Sequence, residues 1–570
     1  MSRFRVAAYV CVGAFAFSFV AQPAAQQLPD AGGLRQEIER ERLDLPRPAV
    51  KPPEPARRPL TGPREGELSV RVQAFAVSGN SLVATERLLS ALSGFLQRPL
   101  SFADLQLAAS TVADVYRDDG WVVRTLLPPQ DLSSGTVRIE IVEARFGRVR
   151  IENKEILDQL RVGEDRLLGI AGSSLLAGKP IRSDDVDRVL RLLDELPGAG
   201  AQGRLAPGDG DGVTDLVLSV KDKPIIGGDV RIDNHGSRST GRERISGNLS
   251  VASPLKLTDR LGFYGLHTAG SDYVRAAYSV PIGYSGLSAG LNGSAMRYRL
   301  VGRDFVALQA RGASDTSAAE LLYPLLRMRD ANATVGAAVE RKAFDNESGG
   351  AVTSRYSVGT TTLTLSGNRQ DGFGGGGVLF GNVALVAGKL DLSGSPTQAA
   401  DAITTRSAGG FQKLRYSLSR QQVVTESLLL SANYSGQLAS KNLDSSEKFY
   451  LGGGSGLRAY PSSEGGGSEG DMLNLELQLR LPQGFSVSGL YDYGTVTVNK
   501  DNNYTGASTL NRFSMRGMGL ALAWGNAQGV SARLAWARRL GSNPNPTAAG
   551  NDQDGTLIRN RIWLEAAHAF

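Results

Sequence analysis

The residues with most apparent capacity for chemistry sit late in the chain, in "LGGGSGLRAYPSSEGGGSEG", positions 451–470. Glycine-rich loops turn backbone N–H groups toward phosphate, but a P-loop also needs Lys-Ser or Lys-Thr between a strand and a helix. Neither follows here, and Pro461 with a second glycine cluster prevents a helix from starting. Two G-x-S-x-G matches, "GLSAG" (286–290) and "GGSEG" (466–470), carry a hydrolase pattern. That pattern works only on a strand–turn–helix elbow, and matches come cheaply in a chain rich in Gly and Ser. A general base is also hard to find, since His235, His267 and His568 lie at unrelated places. "GDGDG" (208–212) has the look of a calcium loop but lacks acidic ligands at the further spacing, so a hairpin turn is expected. No catalytic residue, cofactor or metal site is expected, and the chain does not read as an enzyme. Arg458 remains, and what it does depends on the elements around it.

Those elements begin with "MSRFRVAAYVCVGAFAFSFVAQPAAQQ", in which two arginines precede a short apolar run and small residues suited to cleavage. This is the layout of a secretory signal peptide over 1–25. The single cysteine, Cys11, falls inside it, leaving no disulfide to form in an oxidising compartment. A formal charge of +6 is small for 570 residues and argues against a nucleic-acid partner. "GLRQEIERERLDL" (33–45) predicts a charged helix with Leu34 and Ile38 on one side, ended by Pro46. A proline-rich extended linker follows.

Two successive units then read strand–helix–helix–strand. The first places Ser101 as cap of a helix with Asp104 three residues on, and Leu105, Ala108 and Val112 on one face. The second places Ser183 as cap and Val186, Leu190, Leu193 and Leu196 as the buried stripe, with Pro197-Gly198 as the stop. Beyond about Gly227 the helical period gives way to alternation, clearest in "MLNLELQLRL" and "GMGLALAWGN". A soluble sandwich shows the same alternation. Behind a signal peptide, with a charged polar face and a leucine-rich apolar face, it suits a membrane barrel of roughly 16 strands. The last strand sets Ile562, Leu564, Ala566 and His568 on one face and ends on Phe570. Inside such a barrel Arg458 needs a partner. Asp492, in "SVSGLYDYGTVTV" with Tyr491 and Tyr493 facing the other way, is a candidate for a bidentate pair. By spacing alone, an arginine that merely lines water stays open.

Several stretches taken together resemble the two-partner secretion transporters of the outer membrane, the hemolysin-activator type within the Omp85 superfamily. "YRDDGWVVRTLLPPQDLSSGTVRIEIVE" is similar to the family's run through Pro129, Gln130, Asp131, Leu132 and Gly135. "LDELPGAGAQGRLAPGDGDG" is similar to its Leu196-Pro197-Gly198, Pro207-Gly208 and Gly212 pattern. "VRIDNHGSRSTG" resembles the start of its barrel, with Asp233, Asn234, Gly236, Thr240 and Gly241. "FYLGGGSGLRAYPSSEG" resembles the loop that folds back into the pore.

The resemblance implies a 16-stranded outer-membrane β-barrel preceded by two small α+β POTRA modules and a pore-plugging N-terminal helix. It divides the chain into plug and linker (26–66), POTRA 1 (67–145), POTRA 2 (146–223) and barrel (224–570), with the inward loop near 448–472. Arg458 becomes the loop-tip arginine and Asp492 its barrel-wall partner, with Leu457, Ala459 and Tyr460 beside it. Leu457 and Ala459 depart from the family's Val and Gly, and Ala tolerates positive φ poorly. Phe570 carries the C-terminal assembly signal, and His568 replaces a usual aromatic. The implied function is nucleotide-free export of a large partner exoprotein of adhesin, cytolysin or haem-scavenging type. The implied partners are that exoprotein, outer-membrane lipid and the barrel-assembly machinery, with the POTRA modules in the periplasm. A barrel-assembly factor and a passive porin are the alternatives.

Overall fold

The computed structural model describes residues 29–42, 69–153 and 161–570. The expected signal peptide and the proline-rich linker lie outside the described residues.

The first α+β unit packs helices α2 (Thr85–Ala91) and α3 (Phe102–Asp118) on a sheet ordered Ala74–Ser78, Thr136–Glu143, Val123–Leu126. The outer strand Ala74–Ser78 runs parallel to the central one. Helix α3 starts on the expected capping box, in which Ser101 and Asp104 satisfy each other's backbone N–H. Leu105, Ala108, Val112 and Tyr116 fill the core against Val137, Ile139 and Ile141. Glu143, at the end of the central strand, accepts from the N–H groups of Ser81 (2.6 Å) and Leu82 (2.7 Å) and from the Tyr116 hydroxyl (2.8 Å). Partial burial pushes its carboxyl up, and these donors outweigh it and hold the group below its usual range.

The second unit repeats the plan, with α4 (Glu164–Gly172) and α5 (Ser183–Asp194) on a sheet ordered Arg145–Ile151, Val213–Asp222, Ala199–Pro207. Here the helix departs from expectation at two points. Arg182, not Ser183, is the N-cap, because the Ser183 hydroxyl turns to the Gly120 carbonyl of the first unit. The stripe centres on Val186, Val189, Leu192 and Leu193, with Leu190 only partly buried. Residues 208–212 form the expected hairpin turn.

Sixteen antiparallel strands close into a barrel, from Ile226–Asp233 to Asn560–Ala569. Successive side chains alternate faces, and the leucines and aromatics of the sequence pattern point outward: Met518, Leu520 and Leu522, Leu534 and Trp536, Tyr491 and Tyr493 are all exposed. Their neighbours face the lumen. The first and last strands pair from Asp229–Ala569 to Asp233–Glu565. Asn234 lengthens this seam with its side chain, donating to the Ile562 carbonyl (3.0 Å) and accepting from the Leu564 N–H (2.9 Å), as a backbone residue would.

The second unit docks on the turns at one barrel end through arginines. Arg161 donates to the Ser253 carbonyl (3.1 Å), Arg166 to Gly283, Arg188 to Ser285 (3.0 Å) and Pro324 (2.9 Å), and Arg191 to Arg329 (3.0 Å). Arg166 also lies over the Tyr284 ring, and Arg188 over that of Tyr323.

Candidate functional site: plug helix and pore loop

Helix α1 (Ala31–Arg42) lies inside the barrel. Ala31, Leu34 and Ile38 pack against Tyr298, Phe344 and Tyr356. Such a charged helix tolerates the lumen because its polar face is paired. Arg35 meets Glu340 of the wall at 2.9 Å, and Glu39 meets Arg275 at 3.6 Å and the Tyr273 hydroxyl. Gly32 is required by contact: a Cβ there would lie 2.6 Å from the Tyr356 hydroxyl.

The strand Leu428–Ala439 and the strand Glu469–Arg480 are neighbours in the barrel, and the segment 440–468 between them folds into the lumen. The glycine-rich stretch of the sequence is therefore a hairpin held within the barrel. Near its base Glu447, buried, neutralises two inward lysines, Lys342 (2.7 Å) and Lys413 (2.8 Å). At its tip Arg458 and Asp492 come together. The guanidinium donates from Nη2 to Asp492 Oδ1 (2.5 Å) and from Nε to Oδ2 (3.0 Å), and the Arg458 N–H adds a third bond to Oδ2 (3.0 Å). Both residues are buried, Asp492 to 1% exposure. A charge-assisted fork of this kind fixes orientation as well as position.

Around this pair stand residues that sequence reasoning missed. Asn474 donates to Asp492 Oδ1 (2.8 Å) and to the Gly456 carbonyl (3.0 Å). Glu476 accepts from Arg458 Nη1 (3.3 Å) and from Arg533 (3.0 Å). Trp563 of the last strand donates its indole N–H to the Arg458 carbonyl (2.7 Å), which ties the loop tip to the barrel seam. Asn474 and Glu476 were visible as the polar face of "MLNLELQLRL", a sign that they point inward. Nothing in their spacing showed that they meet Arg458.

Leu457, Ala459 and Tyr460 are all buried, in a cluster with Leu451, Met472, Val496, Phe513 and Met515. Arg539 lies over the Tyr460 ring at 4.5 Å. Ala459 adopts no left-handed backbone, so the feared strain does not arise; in this loop positive φ falls on Gly453, Ser463 and Gly465. The Ala459 methyl instead rests on Gly517, where an added Cβ would lie 2.5 Å away.

Plug and loop touch each other. Arg40 donates to the carbonyls of Tyr450 (2.5 Å) and Gly452 (2.7 Å), and Ser463 donates to Glu37 (2.9 Å). Beneath them a cavity of about 950 Å³ is lined by α1, the loop tip and the inner wall. It reaches Asp229 and Gln421, near strand ends on the module side of the barrel.

The remaining expected residues make contacts other than the Arg458–Asp492 pair, Asp233 and His235 on the wall of the same cavity and the rest farther off. Asp233 pairs with Arg244 of the neighbouring strand (2.7 Å), and Gly236 closes the following loop onto the Arg242 carbonyl. His235 stands edge-on to Trp563 and its carbonyl accepts from Ser462. Phe570 exchanges backbone hydrogen bonds with Gly228 at the module end of the seam. In the first unit Gln130 exchanges two bonds with the Arg138 backbone (2.9 and 2.6 Å), covering part of the central strand beside Pro129. Asp131 accepts from the N–H and hydroxyl of Ser133, next to Leu132. Pro197-Gly198 ends the helix of the second unit, with Gly198 left-handed beside the turn at Ser253. The two G-x-S-x-G matches run into barrel strands, not into helices.

Comparison with known proteins places this architecture. Residues 70–144 match the ShlB-type POTRA domain, and residues 212–522 match the family described as haemolysin secretion/activation protein ShlB/FhaC/HecB. The heme/hemopexin transporter protein HuxB of Haemophilus influenzae strain 86-028NP is 25% identical, covering 98% of this chain and 99% of HuxB. The outer membrane transporter CdiB of Dickeya dadantii is 23% identical over 78% of this chain and 77% of its own. Among solved structures, CdiB from Escherichia coli superposes with a TM-score of 0.65 at 20% identity, covering 90% of this chain and 93% of that one. BamA from Haemophilus ducreyi lacking POTRA domains 1–3 shares the fold at a TM-score of 0.53 and 13% identity, covering 88% and 100%. The chain belongs to the ShlB/FhaC/HecB family and is an outer-membrane two-partner secretion transporter, a barrel with periplasmic POTRA modules that exports a partner exoprotein.

Proposed function

We propose that the resting pore is closed jointly by α1 and the inward loop, with the Arg458–Asp492 pair as the lock that holds the loop on the wall. The observation that carries this is the bidentate pair, at 2.5 and 3.0 Å, buried within a polar lumen. Residues 1–25 are read as the leader, 26–66 as plug and tether, 67–145 and 146–223 as the two modules, and 224–570 as the conduit. An unfolded, β-prone exoprotein adds a strand to a free module edge such as Ala74–Ser78. Plug and loop then yield, and folding outside draws the chain through without nucleotide. The exoprotein is of adhesin, cytolysin or haem-scavenging type. Similarity to a heme/hemopexin transporter along nearly the whole chain favours the last. Phe570, at the seam, serves recognition by the barrel-assembly machinery.

The test is deletion of the gene in its own host. One large surface protein should accumulate in the periplasm while other barrels assemble normally. General loss of barrels would overturn export in favour of an assembly role, and no retained protein at all would leave a passive pore.

A further inference from the structure

Segment 540–559 joins the strands Val530–Arg539 and Asn560–Ala569 at the barrel end away from the modules. It folds down into the mouth, with Asn543, Thr547, Asp552 and Asp554 all buried. Two arginines of the flanking strands hold it there. Asp552 pairs with Arg539 and with Arg561 (3.2 Å), and Asp554 pairs with Arg561 (3.1 Å).

What the segment meets in the mouth is the second leg of the inward loop. Glu464, 1% exposed, accepts from the Asn543 amide (2.9 Å) and from the Gln553 N–H (2.8 Å). Both donors belong to the surface segment. Among the described residues no cation pairs with Glu464, and Asp552 and Asp554 lie close enough to oppose its charge. A buried carboxylate in that position is costly unless its hydrogen bonds are made. Glu464 therefore depends on the surface segment's donors and loses both when the two loops part. A second link runs beside it, because Arg539, paired with Asp552, lies over the Tyr460 ring at 4.5 Å.

The inward loop can transmit this hold to its tip. Leu451 and Gly452 donate to the Glu464 carbonyl (3.2 and 3.0 Å), Leu457 to Leu451 (2.8 Å) and Tyr460 to Leu457 (3.0 Å). Residues 451–464 thus form one bonded unit, fastened to the wall at Arg458 and to the surface segment at Glu464. Two anchors on one rigid body reinforce each other, since either one, while fastened, keeps the other near its partner.

We propose that Glu464 is a second positioning residue of the gate, through which the surface segment 540–559 holds the inward loop docked from outside. The inference rests on the Arg458–Asp492 lock. Its test is amide exchange in the purified full-length protein, read at the residue-458 N–H, whose acceptor is Asp492 of the wall. Glu464→Ala should raise that rate about ten-fold, the worth of roughly one hydrogen bond. Asn543→Ala, which leaves the inward loop's own sequence intact, should raise it as well. The double variant should fall short of the product of the two effects, because both remove the same contact. Glu464→Gln keeps the length and one accepting oxygen, so it should lie between wild type and Glu464→Ala. A side chain that merely filled space would be fully replaced by glutamine. An unchanged rate in Glu464→Ala or in Asn543→Ala, a glutamine variant equal to wild type, or multiplying effects in the double variant overturns the second anchor. Arg458→Ala is measured alongside: if it alone raises the rate, the lock stands and the second anchor falls, and if it too has no effect, the lock itself has failed.

Discussion

Replacing Arg458 by alanine removes three side-chain hydrogen bonds, two to Asp492 and one to Glu476. It does not remove everything that Asp492 accepts. The residue-458 N–H and the Asn474 amide still reach that carboxylate at 3.0 and 2.8 Å, and Glu476 keeps Arg533. Breaking a buried ion pair from one side costs about 3–5 kcal/mol, because an uncompensated charge stays behind. With two donors left on Asp492 the lower end applies, about 3 kcal/mol against the docked loop. The expected signature is a rise of roughly 100-fold in amide hydrogen exchange at residue 458 itself, whose N–H bonds to Asp492 of the wall only while the loop is docked. Partner secretion should fall sharply while the barrel remains in the membrane. The double variant Arg458→Ala/Asp492→Asn sharpens the test. Removing the orphaned charge should recover part of the loss, so the double variant exchanges more slowly than Arg458→Ala alone. Unchanged exchange and secretion in Arg458→Ala, or a double variant as impaired as the sum of its parts, would refute the lock.

Deleting residues 31–42 should raise single-channel conductance in a planar bilayer and speed exchange at Gly452, since Arg40 no longer holds the loop; unaltered conductance would remove α1 as a plug. Asn234→Ala should lower the temperature at which the barrel loses its compact electrophoretic mobility, by loss of two seam hydrogen bonds worth about 1–3 kcal/mol, and an unchanged transition would show that backbone pairing alone sets the seam. Glu143 is held below its unfolded value, so its contribution is complete above the ordinary glutamate range near pH 4.3 and is lost as pH falls through its folded value. The protection of the Ser81 and Leu82 amides, their exchange rate relative to an unstructured amide at the same pH, should therefore fall in acid in the wild type, whereas in Glu143→Gln it should be low already at neutral pH and change little with pH; a wild-type protection that does not change with pH would contradict this.

The barrel was legible in the sequence because lipid and water impose opposite demands on alternate residues, and the leucines of "MLNLELQLRL" obey both. The capping box of α3 was legible for a similarly local reason. The helix stripe in the second unit was not, because the neighbouring unit and the barrel compete for its faces: Leu192 lies against the turn at Gly286, and Ser183 is drawn to Gly120. The Arg458–Asp492 pair stayed ambiguous from spacing and became definite through resemblance. Its supports, Asn474, Glu476, Arg533 and Trp563, come from three strands brought alongside the tip only by barrel closure. No local pattern encodes such a meeting.

The joint between the second module and the barrel has a consequence for how such proteins can vary. Its arginines grip carbonyl oxygens at Ser253, Gly283, Ser285, Pro324 and Arg329, atoms that every amino acid possesses. Ser253, Tyr284, Tyr323 and Arg327 add side-chain contacts of their own, but the carbonyl grips themselves survive a change of side chain. Divergence at the periplasmic rim can proceed toward new cargo while the angle at which cargo is delivered to the pore stays inherited.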